Sequence, residues 1–456
     1  MTNNNNNNTA PPSKPALMNS IWFAMIVLAV VTAAFTGQMG QVTKVSFKTA
    51  KDAVNLAIGL IGIMALWLGL VRIAEVGGLM QTIARAIRPI MTRLFPDVPP
   101  EDPAMSAMIL NIAANCLGLG NAATPLGIKA MIALDRLNPF PGRATDAMCL
   151  FLAINTSNVT LLPLGVIAIR AAAGAQRPAA ILIPTLFATS CSTLVAIVAA
   201  KLFAKWDNKK NKYKYLKTIK NYIKNNTFQN DKKEDFEFPK TLYDLAPPTN
   251  FMKWGSIIAL IALIIGFFYH IFTTQAPLPT LAQSMLSHWI IPILMMGFVV
   301  YGALKGVPVY EAGIEGAKEG FDVAVKLIPF LVLILVAVSM FRASGAFDLT
   351  SKILYPITHL LKIPPEVLPV ALLRPLSGSG AFALVTEITY RHPNSFAAFL
   401  AGTIQGSTET TFYVLAVYFG AIGIKDVRYA VSAALLADLA GFLASVAICH
   451  LLYKPI

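Results

Sequence analysis

The stretch Asn111-Ile-Ala-Ala-Asn115-Cys-Leu-Gly118-Leu-Gly120-Asn121-Ala-Ala-Thr124-Pro125 places amides, glycines and a proline within an otherwise apolar region. Three further stretches share this character: Asn155-Thr-Ser-Asn158-Val-Thr160, Arg374-Pro375-Leu-Ser377-Gly378-Ser379-Gly380 and Gln405-Gly406-Ser407-Thr408-Glu409-Thr410-Thr411. Inside a bilayer, the backbone groups that such Gly and Pro positions release must face protein or a watery cavity. Paired interruptions of apolar segments are typical of the binding sites of transporters.

The composition around these four interruptions is that of a membrane protein. Of the 456 residues, 56% are hydrophobic and only 13% are charged, which is more apolar surface than a soluble core can bury. Apolar runs close to the roughly 20 residues of a membrane-spanning helix occur at 17–35, 53–71, 147–169, 179–203, 254–272, 289–304, 323–341 and 429–452. The sequence therefore predicts an all-α polytopic membrane protein with broken or re-entrant helices, in contact with the lipid bilayer.

The net charge of the chain is +14, and Lys residues cluster in one polar segment, residues 201–240, which holds 12 Lys against 5 acidic residues. The positive-inside rule favours a cytoplasmic loop there, and hence a multi-pass protein of the bacterial inner (plasma) membrane. Attraction to anionic lipid headgroups is a second interpretation. Nucleic acid is not an expected partner, because no aromatic stacking motif accompanies the charge.

The second half of the chain repeats the first. An offset of 250 residues aligns Asn155 with Gln405 and Thr160 with Thr410, and a slightly larger offset aligns Gly118-Leu-Gly120 with Gly378-Ser-Gly380. We predict four parts: a disordered Asn/Pro-rich head at 1–16, a first helical domain at 17–204, a Lys-rich cytoplasmic linker at 205–250, and an extra helix followed by a second helical domain at 251–456. The Lys residues that follow corresponding helices predict parallel halves, but re-entrant segments that do not cross would change this topology.

The polar side chains at the interruptions are the predicted site of a small polar solute or ion. An ionisable group at bilayer depth costs roughly 3 kcal/mol on insertion scales and marks a pathway or a paired site, which makes Glu409 the main candidate. Its structural alternative is a salt bridge to Arg374, and the alternative for the amides is that they hold neighbouring helices together. The predicted solute-binding residues are Asn111, Asn115, Asn121, Thr124, Asn155, Ser157, Asn158, Arg374, Ser377, Gln405, Ser407, Thr408 and Glu409.

No enzyme motif accompanies these residues. The five His are scattered without a His-Glu-x-x-His pattern, and Gly118-Leu-Gly120 lacks a following phosphate-binding Lys-Ser or Lys-Thr. The four Cys lie in apolar segments at spacings that match neither a zinc site nor a disulfide framework. We therefore expect no enzymatic activity, no cofactor and no metal site.

The motifs resemble a known family. Residues 111–131 and 151–160 are similar to spore maturation protein A, whereas 373–381, 405–413 and 435–441 are similar to spore maturation protein B. The chain thus resembles a fusion of the two, and the resemblance implies two nucleoside-recognition or gate domains, related to part of the concentrative nucleoside transporters. It also implies that Gln405 to Glu409 is a version of the solute-contacting turn at the tip of a re-entrant hairpin, here with Gly406 and Ser407 inserted.

Two functions remain open from the sequence. The first is transport of a small polar solute or ion, bound near the midplane between the repeats. The second is a non-transporting membrane scaffold or regulator that acts through the Lys-rich segment. A homo-oligomer is compatible with either.

Overall fold

The computed structural model describes residues 17–118, 120–157, 160–225, 247–274 and 289–453. Every regular element within these ranges is helical, apart from an isolated bridge between Arg143 and Asp426. The predicted all-α polytopic fold with interrupted helices is confirmed. The predicted head and much of the Lys-rich linker lie outside the described residues, so both stay predictions.

The first half consists of eight α-helices and a 3-10 turn at Pro178–Ile181 that precedes the last helix. The helices are α1 Leu17–Thr36, α2 Met39–Val76, α3 Leu79–Leu94, α4 Pro103–Cys116, α5 Gly120–Arg136, α6 Asp146–Ser157, α7 Leu164–Ala172 and α8 Leu182–Asn225.

The second half repeats this order after an unpaired helix, α9 (Asn250–Thr274). Its helices are α10 Ile290–Leu304, α11 Val309–Ala343, α12 Ala346–Leu361, α13 Leu368–Leu373, α14 Gly378–Arg391, α15 Phe396–Ser407, α16 Thr411–Ala421 and α17 Ala430–Leu452. Each helix from α1 to α8 therefore has a counterpart from α10 to α17, as the sequence repeat predicts.

Within the described residues, five helices are long and apolar enough to cross a membrane: Met39–Val76, Pro178–Asp207, Asn250–Thr273, Val309–Ala343 and Ala430–Leu452. By contrast, α6 and α15 have 12 residues each. At 1.5 Å per residue each is about 18 Å long, well short of the roughly 30 Å hydrocarbon core. These two helices therefore end inside the fold, at the polar interruptions.

Local signals in the sequence account for where the helices begin and end. The Ser377 hydroxyl caps α14 by accepting a hydrogen bond from the Gly380 amide, and Ser395 caps α15 in the same way. Gly78 and Gly345 take left-handed φ values of 83° and 85° at the corresponding turns after α2 and α11. Glycine adopts this conformation without the strain a side chain would cause, so both halves turn at the same place.

Corresponding helices pack antiparallel across the two halves. Along the extensive contact of α2 with α11, Gly316 lies against Leu68 whereas Gly320 lies against Ala65. Likewise α8 pairs with α17, since the Ser192 hydroxyl donates to the Ala437 carbonyl (2.8 Å). The halves are thus inverted relative to each other.

The prediction of parallel halves is therefore wrong. It rested on Lys residues that follow corresponding helices, and it treated each apolar segment as a crossing. Helix α6 is too short to cross, so the count of crossings in the first half, and with it the orientation of the second half, changes.

The apolar interior forms two clusters, and each combines both halves. One cluster joins α2 and α7 to α11 and to α13–α15, with Trp67, Phe399 and Leu335 among its buried members. The other joins α3–α6 and α8 to α16 and α17, with Phe151 and Phe419 in its centre. Because the buried apolar area drives folding, neither half holds a complete core of its own.

The close approach of α2 and α11 depends on the absence of side chains at the α11 glycines. A Cβ at Gly320 would lie 2.7 Å from the Met64 carbonyl oxygen, whereas a Cβ at Gly266 in α9 meets nothing within 4 Å. We expect Gly320→Val to destabilise the protein by about 1–3 kcal/mol, the usual cost of overpacking, and to lower the thermal unfolding midpoint in detergent. The matched variant Gly266→Val should stay close to wild type, and equal effects of the two would contradict this packing.

Candidate functional site

A cavity of about 370 Å³ lies where the four interruptions meet. The end of α4 contributes Asn115 and Gly118, and the segment between α6 and α7 contributes Thr160 and residues up to Pro163. The second half contributes polar groups from both of its interruptions, namely Arg374, Gly378, Ser379, Gln405, Gly406, Glu409 and Thr410. The remaining wall is apolar and includes Met64, Val323, Leu327 and Phe382. The structure therefore brings all four sequence stretches to one place.

Backbone hydrogen bonds tie the interruptions to one another. In the first half the Leu161 amide donates to the Cys116 carbonyl (3.0 Å), and in the second half the Phe412 amide donates to the Pro375 carbonyl (3.0 Å). A third bond joins the halves, from the Glu409 amide to the Thr156 carbonyl (2.7 Å). These bonds satisfy groups that an interrupted helix leaves without an intrahelical partner, and they fix the shape of the cavity.

Arg374 and Glu409 form an ion pair at the cavity. A distance of 3.4 Å separates Arg374 Nη2 from Glu409 Oε2, and the Arg374 side chain is 6% exposed against 43% for Glu409. Arg374 also donates to the Thr408 carbonyl and to the Thr410 hydroxyl. The salt bridge named as the structural alternative is therefore present, and it places the two charges on the cavity wall.

Gln405 contributes a polar group of a different kind. Its side chain is 9% exposed and lines the cavity, and its amide oxygen has no hydrogen-bond partner among the described residues. A buried acceptor without a donor costs about 1–3 kcal/mol. A donor group on a bound solute would offset this cost.

The first-half amides form a chain that leads away from the cavity. Asn115 Nδ2 donates to Asn155 Oδ1 (2.9 Å), which also accepts from the Tyr418 hydroxyl (3.3 Å). Asn111 Nδ2 in turn donates to the Tyr418 oxygen (3.0 Å) and to the Ala123 carbonyl (2.7 Å). Asn111 and Asn155 are buried, so they hold Asn115 in place rather than line the cavity themselves.

The other predicted site residues lie near helix ends. Ser157 and Ser407 donate to carbonyls of their own helices, and the Ser377 hydroxyl serves as the cap of α14. Thr408 presents its carbonyl to Arg374. Thr124 is half-buried in the first turns of α5. Asn158 and the side chain of Asn121 lie outside the described residues.

The sequence did not reveal a second charged cluster, the end clamp, formed by Arg428, Asp146, Asp207 and Tyr429. Arg428 Nη1 lies 2.7 Å from Asp146 Oδ1, its Nε donates to Asp207 (2.8 Å), and the Tyr429 hydroxyl donates to Asp146 (2.7 Å). Burial by itself lowers the pKa of Arg428, but the two carboxylates outweigh it and the pKa is raised. The end clamp joins the segment before α17 to α6 and α8, and so connects the two halves at one end of the fold. Nothing in the spacing of its members along the chain indicates it.

Neutral groups also join the two halves, away from the end clamp. Asn394, before α15, accepts a hydrogen bond from the Gln176 amide (3.0 Å) through its side chain, and its carbonyl accepts one from the Tyr453 hydroxyl (2.9 Å). The contacts between the two halves thus include both the ion pairs of the end clamp and uncharged hydrogen bonds at Asn394.

Comparisons with known proteins agree with this arrangement. The family model described as Gate, nucleoside recognition, matches residues 57–205 and 324–425. Spore maturation protein B of Bacillus subtilis (strain 168) is 48% identical over 169 residues, which cover 37% of this chain and 95% of that protein. Spore maturation protein A of the same organism is 43% identical over 187 residues, which cover 41% of this chain and 95% of that protein. The two relatives match different parts of the chain. No solved structure matches it.

The role of Tyr418 in the amide chain can be tested directly. Tyr418→Phe removes the hydroxyl that joins two buried amides, so we expect a loss of about 1–3 kcal/mol of stability, seen as a lower unfolding midpoint. Tyr413→Phe, on the same helix but 55% exposed, is the matched control and should have little effect. If both variants unfold like wild type, the amide chain does not depend on Tyr418.

The end clamp predicts a large effect of removing its cation. Arg428→Met removes the buried cation, while Asp207 keeps its contact with Arg143 (3.4 Å) and Asp146 keeps the Tyr429 hydroxyl. We therefore expect a loss of about 3 kcal/mol, the low end of the cost of breaking a buried pair. Arg88→Met is the control, because the Arg88–Glu101 pair is exposed (49% and 89%) and such pairs contribute about 1 kcal/mol at most. Thermal unfolding in detergent at low salt compares the two, and equal losses would mean that the end clamp does not join the halves.

Proposed function

Because the chain belongs to the nucleoside-recognition (Gate) family, we propose that this multi-pass membrane protein binds a small polar solute or ion between its broken helices and moves it across the bacterial inner membrane. The observation that carries the proposal is the cavity at the four interruptions, with the Arg374–Glu409 pair and the Gln405 amide oxygen on its wall. Groups of this polarity are costly at membrane depth unless they serve a bound solute or a pathway.

The chemistry of the wall supports a compact solute that carries hydrogen-bond donors. Gln405 offers an acceptor, and the carboxylate of Glu409 is 43% exposed although it also pairs with Arg374. The rest of the cavity wall is apolar and includes Met64 and Phe382. A cavity of about 370 Å³ is at the small end of ligand pockets, which suits one small molecule rather than a polymer. The family description makes nucleosides the first compounds to test.

The inverted halves support movement of the solute. In transporters built from inverted repeats, one repeat rocks against the other around a site at their interface. Here the cavity takes wall residues from both halves, and the halves meet through separate sets of contacts, at the end clamp and at Asn394. The names of the two relatives refer to spore maturation, and a solute moved by this chain would serve that process where spores form.

A thermal-shift screen tests solute binding. Purified protein is heated with uridine, adenosine, adenine, glutamate, lysine, spermidine, citrate, sodium or potassium. Binding to the native state adds about 2.7 kcal/mol of stability at a ligand concentration 100 times the Kd. Glu409→Gln and Gln405→Met each remove one cavity group. We expect affinity to fall roughly 10-fold or more for Glu409→Gln, since a hydrogen bond to a charged group contributes about 1.5–3 kcal/mol, and about 2- to 10-fold for Gln405→Met, since a neutral hydrogen bond contributes about 0.5–1.5 kcal/mol.

Glu101→Gln is the control, because the Glu101 side chain is 89% exposed in its pair with Arg88, outside the cavity. Flux of any compound that binds is then measured in liposomes. Retention of both shift and flux in Glu409→Gln would contradict the proposed role of that residue. If no compound shifts the midpoint, the scaffold or regulator function through the Lys-rich segment becomes the better hypothesis.

A further inference from the structure

Asp438 is an acidic side chain that belongs to none of the four interruptions. Asp438 lies in α17, a candidate membrane span, and is 8% exposed. Its Oδ2 accepts a hydrogen bond from the Thr411 hydroxyl (2.6 Å), while its Oδ1 has no partner among the described residues. An ionised carboxylate in this setting is strongly disfavoured unless a cation compensates it.

No cation of the described residues forms an ion pair with Asp438. Helices α6, α8, α15 and α16 pack against α17, and near Asp438 they present hydroxyl groups, from Thr411 and from Ser192, which donates to the Ala437 carbonyl. Along the chain from Asp438 through Thr411 to the adjacent Thr410, the first charged group is Arg374, which is itself bonded to Thr408 and Glu409. A proton is therefore the cation best suited to neutralise Asp438.

Packing does not explain why an acid occupies this position. The 250-residue offset that aligns Thr160 with Thr410 also aligns Ala188 of α8 with Asp438 of α17, so the two residues occupy equivalent positions in the repeat. Ala188 is fully buried. The fold thus accommodates a methyl group at the equivalent place in the first half, and the carboxyl is a property of the second half, the half that also carries the Arg374–Glu409 pair.

We propose that Asp438 is a reversible proton-binding site linked to the cavity through Thr411, Thr410 and Arg374. Thr411 holds one oxygen of Asp438 and directly follows Thr410, whose hydroxyl accepts a hydrogen bond from Arg374 Nη1 (3.3 Å). When Arg374 is neutralised by Glu409, Asp438 keeps its proton on Oδ1. When a change at the cavity separates Arg374 from Glu409, the positive charge of Arg374 stabilises the ionised form of Asp438. Asp438 then releases its proton to water.

Use of this proton to drive transport rests on the proposed function, but the proton site itself does not. Infrared difference spectroscopy of the whole purified protein during a pH titration detects the C=O stretch of a protonated carboxylic acid without any solute. We expect a band that disappears reversibly as the pH rises, that is absent in Asp438→Asn, and that is retained in Glu387→Gln. Glu387 of α14 is the matched control, because it is an acid of the same half that is paired with Arg342 and Arg391.

The link to the cavity has its own readout in the same titration. Glu409→Gln leaves the positive charge of Arg374 without its carboxylate, so ionised Asp438 is favoured and the pH at which the band disappears should fall by about one unit. Glu101→Gln should leave that pH unchanged.

A band that persists in Asp438→Asn, a band that never titrates while the protein stays folded, or no band at all would overturn the proton site. An unchanged titration in Glu409→Gln would overturn its link to the cavity. None of these outcomes bears on solute binding, which the thermal-shift screen tests separately.

Discussion

The structure depends on one constraint: backbone groups released from a helix inside an apolar environment must find partners within the protein. Helices α4, α6, α13 and α15 end inside the fold, at the four interruptions, and their ends contact one another instead of lipid. The hydrogen bond from the Glu409 amide to the Thr156 carbonyl satisfies this constraint between the halves, because it joins the interruption of one half to that of the other. The cavity, its charged pair and its amides all lie where these mutual bonds hold the ends in place.

Much of this follows from the sequence alone. Composition predicts the helical membrane fold, and the position of Gly118, Gly378 and Gly406 within apolar segments predicts where helices break. The pairing of Arg374 with Glu409 was also accessible, because two opposite charges in one apolar half have few other partners. These inferences depend on local sequence or on the high cost of an isolated charge, and both can be judged without knowing the tertiary structure.

Other features depend on packing between distant segments. Tyr418 of the second half completes the amide chain of the first, and a Cβ at Gly127 would lie 2.1 Å from its ring, but neither residue stands out in the sequence. Arg428 reaches Asp146 and Asp207 across the two halves, and no spacing rule connects them. The prediction of parallel halves failed for a related reason: Lys counts report on loops, whereas the orientation depends on which apolar helices fail to cross.

The two apolar clusters have a consequence for assembly. Since each cluster is completed by helices of the other half, a separated half would expose a large apolar face, and its folding would depend on meeting its complement by diffusion in the membrane. In a single chain that encounter is intramolecular, with an effective concentration determined by the connecting segment rather than by the level of expression. The continuous chain therefore ensures equal amounts of the two halves and makes the completed core independent of how dilute the protein is.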